Sequence, residues 1–198
     1  MKVVGINGSA RKDGNTAILL RTVFGELEQQ GIETEMIQLA EYPLAGCTAC
    51  WACHQSDTHR CVMTDDAFNM IFAKMLAADG ILLGSPVYSA GVTSQIKALI
   101  DRASVVLAAD KSLFRHKVGA AVIAVRRGGA TSALDTLLHF LHSKEMFLVG
   151  STYWNMVYGR EIGEVESDQE GMANMHNLGQ NMAWLIKKIH DKVGVGDS

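Results

Sequence analysis

Five short apolar runs alternate with five segments of helical period, and this alternation restricts the fold more than any other feature of the chain. The runs are Lys2–Ile6, Thr34–Leu39, Gly80–Gly84, Val118–Val125 and Met146–Val149, and each reads as a buried strand. The helical segments are Thr16–Gln30, Asp65–Ala77, Thr93–Leu107, Thr131–Ser143 and Glu170–Lys192. In the third, Ile96, Leu99, Ala103 and Val106 recur at steps of three and four. Met175, Met182, Leu185 and Ile189 mark the last in the same manner. Strands that are apolar throughout need cover on both faces, so the pattern predicts an α/β fold with a parallel sheet between two helical layers. Ligands of such sheets bind at the C-terminal strand edge near a topological switch point. That rule draws the loops after strands one, three and four together.

The length of 198 residues suits one domain with a full core, here residues 1–193 followed by a flexible tail over 194–198. Eighteen basic and 21 acidic residues leave a net charge of −3, which points to neither nucleic acid nor a membrane surface. The first apolar run is too short for a signal peptide and soon meets Arg11, Lys12 and Asp13. The longest uncharged run, Gly80 to Ile96, is broken by Pro86 and glycines and cannot span a bilayer. A cytoplasmic location is expected.

The loop after the first strand carries Gly8-Ser9-Ala10-Arg11-Lys12-Asp13-Gly14-Asn15-Thr16 into a helix. Backbone N–H groups and the helix dipole favour an anion there. Ser9, Asn15 and Thr16 add donors, Gly14 lets the loop turn, and Arg11 adds a fixed charge. Neither a triphosphate P-loop nor a dinucleotide fingerprint is present, because the glycines stand at 5, 8 and 14. Donors with few fixed charges suit one terminal phosphate, as in a mononucleotide; an ordinary turn between strand and helix is the alternative.

After the third strand, Ser85-Pro86-Val87-Tyr88-Ser89 joins a rigid proline, an aromatic ring and small residues. A flat aromatic ligand needs such a wall, although a simple turn needs Pro86 and Tyr88 as well. After the fourth strand come Arg126-Arg127-Gly128-Gly129. The glycines permit close approach by a ligand, and the arginines suit an anionic ring or a phosphate. For at least one arginine, a solvated surface position is the competing expectation.

G-S-x-R-x-x-G-N-T after strand one, S-P-V-Y-x-x-x-x-T-x-x-I-K after strand three and R-R-G-G after strand four together resemble the NAD(P)H-dependent FMN reductase branch of the flavodoxin-like superfamily. The resemblance runs from Lys2 through Gly159. It implies a flavodoxin-like three-layer sandwich with a five-stranded parallel sheet in the order 2-1-3-4-5. It implies that Ser9, Arg11, Gly14, Asn15 and Thr16 hold the FMN phosphate and that Pro86, Val87, Tyr88 and Ser89 border the isoalloxazine. Arg126, Gly128 and Gly129 would lie near its pyrimidine side or the approach of the nicotinamide. The family is generally dimeric or tetrameric, so a homodimer or homotetramer is expected. Part of the third helix, with apolar residues at nearly heptad spacing, is the candidate interface, while at least one of its faces is expected to pack on its own sheet.

All four cysteines fall in one short stretch, as Cys47-x-x-Cys50-x-x-Cys53-x₇-Cys61. Four thiolates are the ligand set of a [4Fe–4S] cluster, and the spacing resembles the compact motif of the iron–sulfur flavoproteins. Three other readings stay open: zinc helped by His54 or His59, a redox disulfide, and a cysteine-rich loop without metal. His139 and His142 form no site of their own, and Asp65 and Asp66 read as helix-start residues without a catalytic role.

No catalytic side chain is demanded, because FMN carries the chemistry. Two functions follow. One is an NAD(P)H-dependent oxidoreductase that reduces a small-molecule or protein acceptor. The other is an electron carrier exchanging electrons with ferredoxin-type partners.

Overall fold

The computed structural model describes residues 1–55 and 57–191; the expected tail over 194–198 lies outside the described residues. Six strands form one sheet: β1 (Lys2–Asn7), β2 (Glu33–Gln38), β3 (Gly80–Pro86), β4 (Val118–Val125), β5 (Phe147–Leu148) and β6 (Met156–Tyr158). Their order is β2-β1-β3-β4-β5, all pairs are parallel, and β6 also pairs with β4. The helices are α1 (Asn15–Gln29), α2 (Phe68–Ala77), α3 (Ser94–Ala109), α4 (Ala130–His142) and α5 (Gln169–His190).

The five-position order is the expected one, but two short strands share the fifth position. β5 pairs with Val118 and Gly119, while β6 pairs with Ile123, Ala124 and Val125. The segment between them leaves the sheet and returns where the main chain of Ile123 donates to Asn155 O at 2.9 Å. Asn155 is buried, and Ser151 Oγ donates to its Oδ1 at 2.8 Å. No apolar run is long enough to announce β6, so the sequence reading stops at Val149.

β4 is buried over its whole length, as an apolar run between two helical layers must be. One layer is α1 and α5, whose Leu19, Leu20, Val23, Met175, Leu178 and Met182 pack beneath the sheet. The other is α2, α3 and α4, with Phe68, Phe72, Leu99, Val106 and Leu137. Ile96, Leu99, Ala103 and Val106 are all at most 1% exposed. This stripe packs into the protein's own core, as at least one face of α3 was expected to do. Among the described residues no helix is long and apolar enough to cross a membrane.

From β1 the chain moves to β2 on one side and then to β3 on the other. The loops after β1 and β3 consequently diverge at the C-terminal edge and open a crevice.

Candidate functional site

Two glycines let those loops touch. Gly8 N donates to Gly84 O at 2.8 Å, and a Cβ on Gly8 would stand 2.9 Å from the same oxygen. Thr93 locks the junction: its Oγ1 donates to Gly8 O at 2.7 Å and accepts from Ile96 N, capping α3. Two buried amides that the sequence reading missed shape the first loop. Asn7 Oδ1 accepts from Ser9 N at 3.0 Å, and Gln38 Nε2 donates to Ser9 O at 2.6 Å. The only sequence signal for them is a polar residue at the end of each apolar strand.

A cavity of about 300 Å³ opens over this junction. Ser9, Arg11, Asn15 and Thr16 line one side, Pro86, Val87 and Tyr88 another, and Arg126 and Arg160 the rim. α1 begins there without a side-chain cap or an acidic residue in its first turn. Thr16 is 1% exposed, and its buried Oγ1 has no hydrogen-bond partner. A buried unpaired hydroxyl is unfavourable by roughly 1–3 kcal/mol. Set beside an uncapped helix start and three guanidinium groups, it has the chemistry of an anion site awaiting an acceptor oxygen. The cradle therefore fits a phosphate.

Several expected residues serve differently. Asn15 Nδ2 donates to Glu161 O at 2.9 Å and its Oδ1 accepts from Gly163 N at 2.8 Å, so both ends of the amide fasten the 159–163 loop over the cradle. That loop supplies Arg160, which sequence reasoning missed because no local motif marks it. Gly14 caps α1, where a Cβ would meet Arg11 Cβ at 2.9 Å. Ser89 does not line the cavity; with Ala90 it forms a two-residue turn at φ 47° and 60°, closed by Tyr88 N to Gly91 O at 2.9 Å. Gly129, at φ 87°, leaves room for Ala90, whose Cα would lie 2.7 Å from an added Cβ.

A second cavity of about 260 Å³ lies behind this wall. Arg126 faces the first cavity and Arg127 the second; Gly159 faces the first and Tyr158 the second. Gly128 and Gly129 line the second, with exposed Tyr153 and Trp154 and the 3% exposed Asn174.

The four cysteines line a third pocket, together with Trp51, Val105 and Arg102. All four are free thiols; Cys47 and Cys50 are exposed and Cys53 is buried. Among the described residues no three His, Cys, Asp or Glu side chains are grouped closely enough to hold a metal ion. Burial pushes the Cys53 thiol up, helped by repulsion from Cys61, Cys50 and Cys47. The Ala52 N–H, then the Thr48 side chain, draw Cys50 down. His54 bonds Val105 O at 2.8 Å and His59 faces Asp110 at 3.8 Å, so both imidazoles have partners away from the thiols.

Side chains of α2 and α3 hold this loop. Asn69 grips Cys61 on both sides, accepting from its N and donating to its O, each at 2.9 Å. Arg102, 1% exposed, pairs with Asp66 and donates to Ala45 O at 3.3 Å and Met63 O at 3.2 Å. Asp66 accepts from Ala45 N at 3.0 Å and Phe68 N at 3.1 Å, which is why α2 starts at Phe68 and not at Asp65. Burial alone would raise the Asp66 carboxyl; the Arg102 guanidinium and the two N–H donors more than reverse it, and the pKa is lowered. Sequence reasoning missed Arg102, although it stands as a charge among the apolar residues Leu99, Ala103 and Val106.

The thiols of one pocket, unbonded to one another and beside a buried cation, fit a sulfur-ligated group in their chemistry.

Comparison with known proteins agrees with the site. The profile of the NADPH-dependent FMN reductase family matches residues 1–161. An iron–sulfur flavoprotein of Methanocaldococcus jannaschii is 37% identical over 196 residues, covering 96% of this chain and 99% of that one. The iron–sulfur flavoprotein of Methanosarcina thermophila is 34% identical, covering 97% and 100%. Among solved structures RosB, holding 8-demethyl-8-formylriboflavin-5′-phosphate, superposes with a TM-score of 0.75 at 17% identity, covering 97% of this chain and 81% of RosB, a likeness of fold. Profile, relatives and cradle converge: this chain is a flavoprotein of the NADPH-dependent FMN reductase family, in the group of the iron–sulfur flavoproteins.

Proposed function

We propose that the protein is an FMN-dependent oxidoreductase that uses NAD(P)H, with a [4Fe–4S] cluster held by Cys47, Cys50, Cys53 and Cys61. The observation that carries the flavin assignment is the orphaned Thr16 hydroxyl inside a cavity ringed by Arg11, Arg126 and Arg160. Ser9, Arg11, Thr16 and the first N–H groups of α1 would hold the phosphate. Pro86, Val87 and Tyr88 would wall the ring. Bound FMN supplies hydride acceptance and release of electrons singly. The protein's own contribution is to bind, orient and shield. The second cavity, with Tyr153, Trp154 and the buried Asn174, suits the second substrate, because it shares a wall with the first.

The cysteine pocket supports the second reading, a carrier that exchanges electrons with a ferredoxin-type protein. It is favoured by four free thiols gathered on one surface-reaching pocket. A homodimer or homotetramer in the cytoplasm completes the proposal.

Protein purified anaerobically and assayed for iron, sulfide and flavin tests both cofactors. FMN should bind far more tightly than riboflavin; equal affinities would remove the phosphate cradle. Cys53→Ala should abolish iron-dependent absorbance and spare FMN. Stopped-flow mixing with NADH or NADPH then separates the functions: rapid bleaching supports the oxidoreductase, and indifference to both with fast ferredoxin exchange supports the carrier.

A further inference from the structure

Arg102 has more donors than the protein has acceptors for it. Its Nη atoms are committed to Asp66, Ala45 O and Met63 O, and its guanidinium carbon lies 4.2 Å from the centre of the Phe68 ring. Its Nε is fully buried and has no hydrogen-bond partner among the described residues. A buried donor on a charged group is costly to leave unmet. The residue borders the pocket of the four cysteines. Asp66 pairs with Nη1 of the same guanidinium and balances part of its charge.

We propose that Arg102 is a positioning residue for the sulfur-held redox group: its unpaired Nε–H donates to a sulfur of that group, and its buried charge favours the group's reduced state. This rests on the reading that the cysteines hold an iron–sulfur cluster. Reduction adds one negative charge, and a fixed cation stabilises that charge most where water is excluded. Hydrogen bonds to sulfur and net charge are two of the levers that set such potentials. The same pair clamps Ala45 at the start of the loop and Met63 near its end, so the residue that tunes the group also closes the loop around it.

The test is an anaerobic redox titration followed by electron paramagnetic resonance, with iron, sulfide and FMN measured on the same samples. Arg102→Met should shift the reduced-to-oxidised ratio at a fixed potential at least tenfold toward oxidised, about 59 mV for a one-electron couple. Arg102→Lys keeps the charge and should recover part of that shift. Asp66→Asn removes the balancing charge and should move the ratio in the opposite direction. Circular dichroism and full FMN content identify folded variants; if Arg102→Met does not fold, Asp66→Asn decides alone. Unchanged potentials in folded, iron-loaded variants would overturn the role of Arg102 and leave the cluster standing. Parent protein with FMN but without iron and sulfide, even after reconstitution, would overturn the cluster and this inference together.

Discussion

Around the arginine-ringed cavity the strand ends carry the framework, and the side chains of Thr93, Gln38 and Asn15 fasten loops to it. Gly8 N–H meets Gly84 O, Val87 N–H meets Ala124 O, and strands β1, β3 and β4 aim their loops at one point. The cysteine pocket is held from outside, by Asn69 and His54 to main-chain atoms and by the Arg102–Asp66 pair. The cavity's shape is therefore distributed over a sheet edge that cannot open without breaking the core. The pocket's shape depends on a few side chains, each of which can be removed singly. A site on strand ends is preformed; a site on a long irregular segment stays assembled only while its ties and its ligand hold.

The largest expected effect follows from cutting the strongest tie. Arg102 and Asp66 form a buried pair, with side chains 0% and 10% exposed. Removing one partner of such a pair destabilises by about 3–5 kcal/mol. Asp66→Ala should loosen the cysteine loop, speed labelling of Cys53 by a thiol reagent and lose iron. FMN affinity should stay within twofold. A parallel fall in FMN affinity, read by flavin fluorescence, would show that the two regions are not independent.

The flavin cavity should break differently. Arg11→Ala with Thr16→Ala removes a charge and a hydroxyl at the phosphate, and charge-assisted hydrogen bonds contribute about 1.5–3 kcal/mol each. FMN affinity should fall at least 100-fold while the fold survives. Thr16→Ala alone should leave the flavin-free protein as stable or slightly more stable, because the lost hydroxyl has no partner there. A clear drop in the melting temperature of flavin-free Thr16→Ala would mean that the hydroxyl is structural.

Acid separates the regions by a smaller margin. Asp66 has a lowered pKa in the folded protein, so its contribution is fully present above the ordinary carboxylate value of 3.8 and fades as pH falls through the lowered value. The cysteine loop should thus stay tied down to about pH 4 and loosen below it. Trp51, which packs against His54 at 5.0 Å, reports this by its emission. Asp66→Asn should lose the transition. An unchanged transition in that variant would assign it to another group.

What the sequence revealed divides along the same line. Apolar runs are local, so β1 to β5 and the loops that meet at the edge were legible, whereas the strand order came from the family resemblance and the three-residue β6 was missed. Ser9, Arg11 and Thr16 were legible because motif and structure share one short segment. Arg160 and Asn15's second role were not, because the 159–163 loop reaches the cradle through tertiary contact, from 146 positions away in the bond of Asn15 to Glu161. The cysteines declared themselves by spacing. Their supports, Asn69 and Arg102, lie on helices that the sequence marks only as amphipathic.

The smallest effect probes how firmly each region holds a strained residue. Ala90 beside the flavin cavity and Ala49 in the cysteine loop both occupy the left-handed region, at φ 60° and 53°. That conformation is unfavourable by about 1–2 kcal/mol for a residue with a Cβ. Glycine removes the strain but adds about 0.5–1 kcal/mol of chain entropy to the unfolded state. Where the fold enforces the conformation, glycine should win by a few tenths to 1 kcal/mol. The turn at Ala90 is enforced from two sides, by the Tyr88–Gly91 bonds and by Gly129 packed against it. Ala90→Gly should therefore stabilise the protein with or without cofactors in denaturant titration. Among the described residues Ala49 has only the pull of Cys47 Sγ on its N–H at 3.4 Å. Without metal that residue can relax, so Ala49→Gly should add nothing in metal-free protein and show its gain only once the thiols are loaded. Equal gains at both positions in metal-free protein would mean that the cysteine loop is as rigid as the sheet edge, and that its side-chain ties suffice without a ligand.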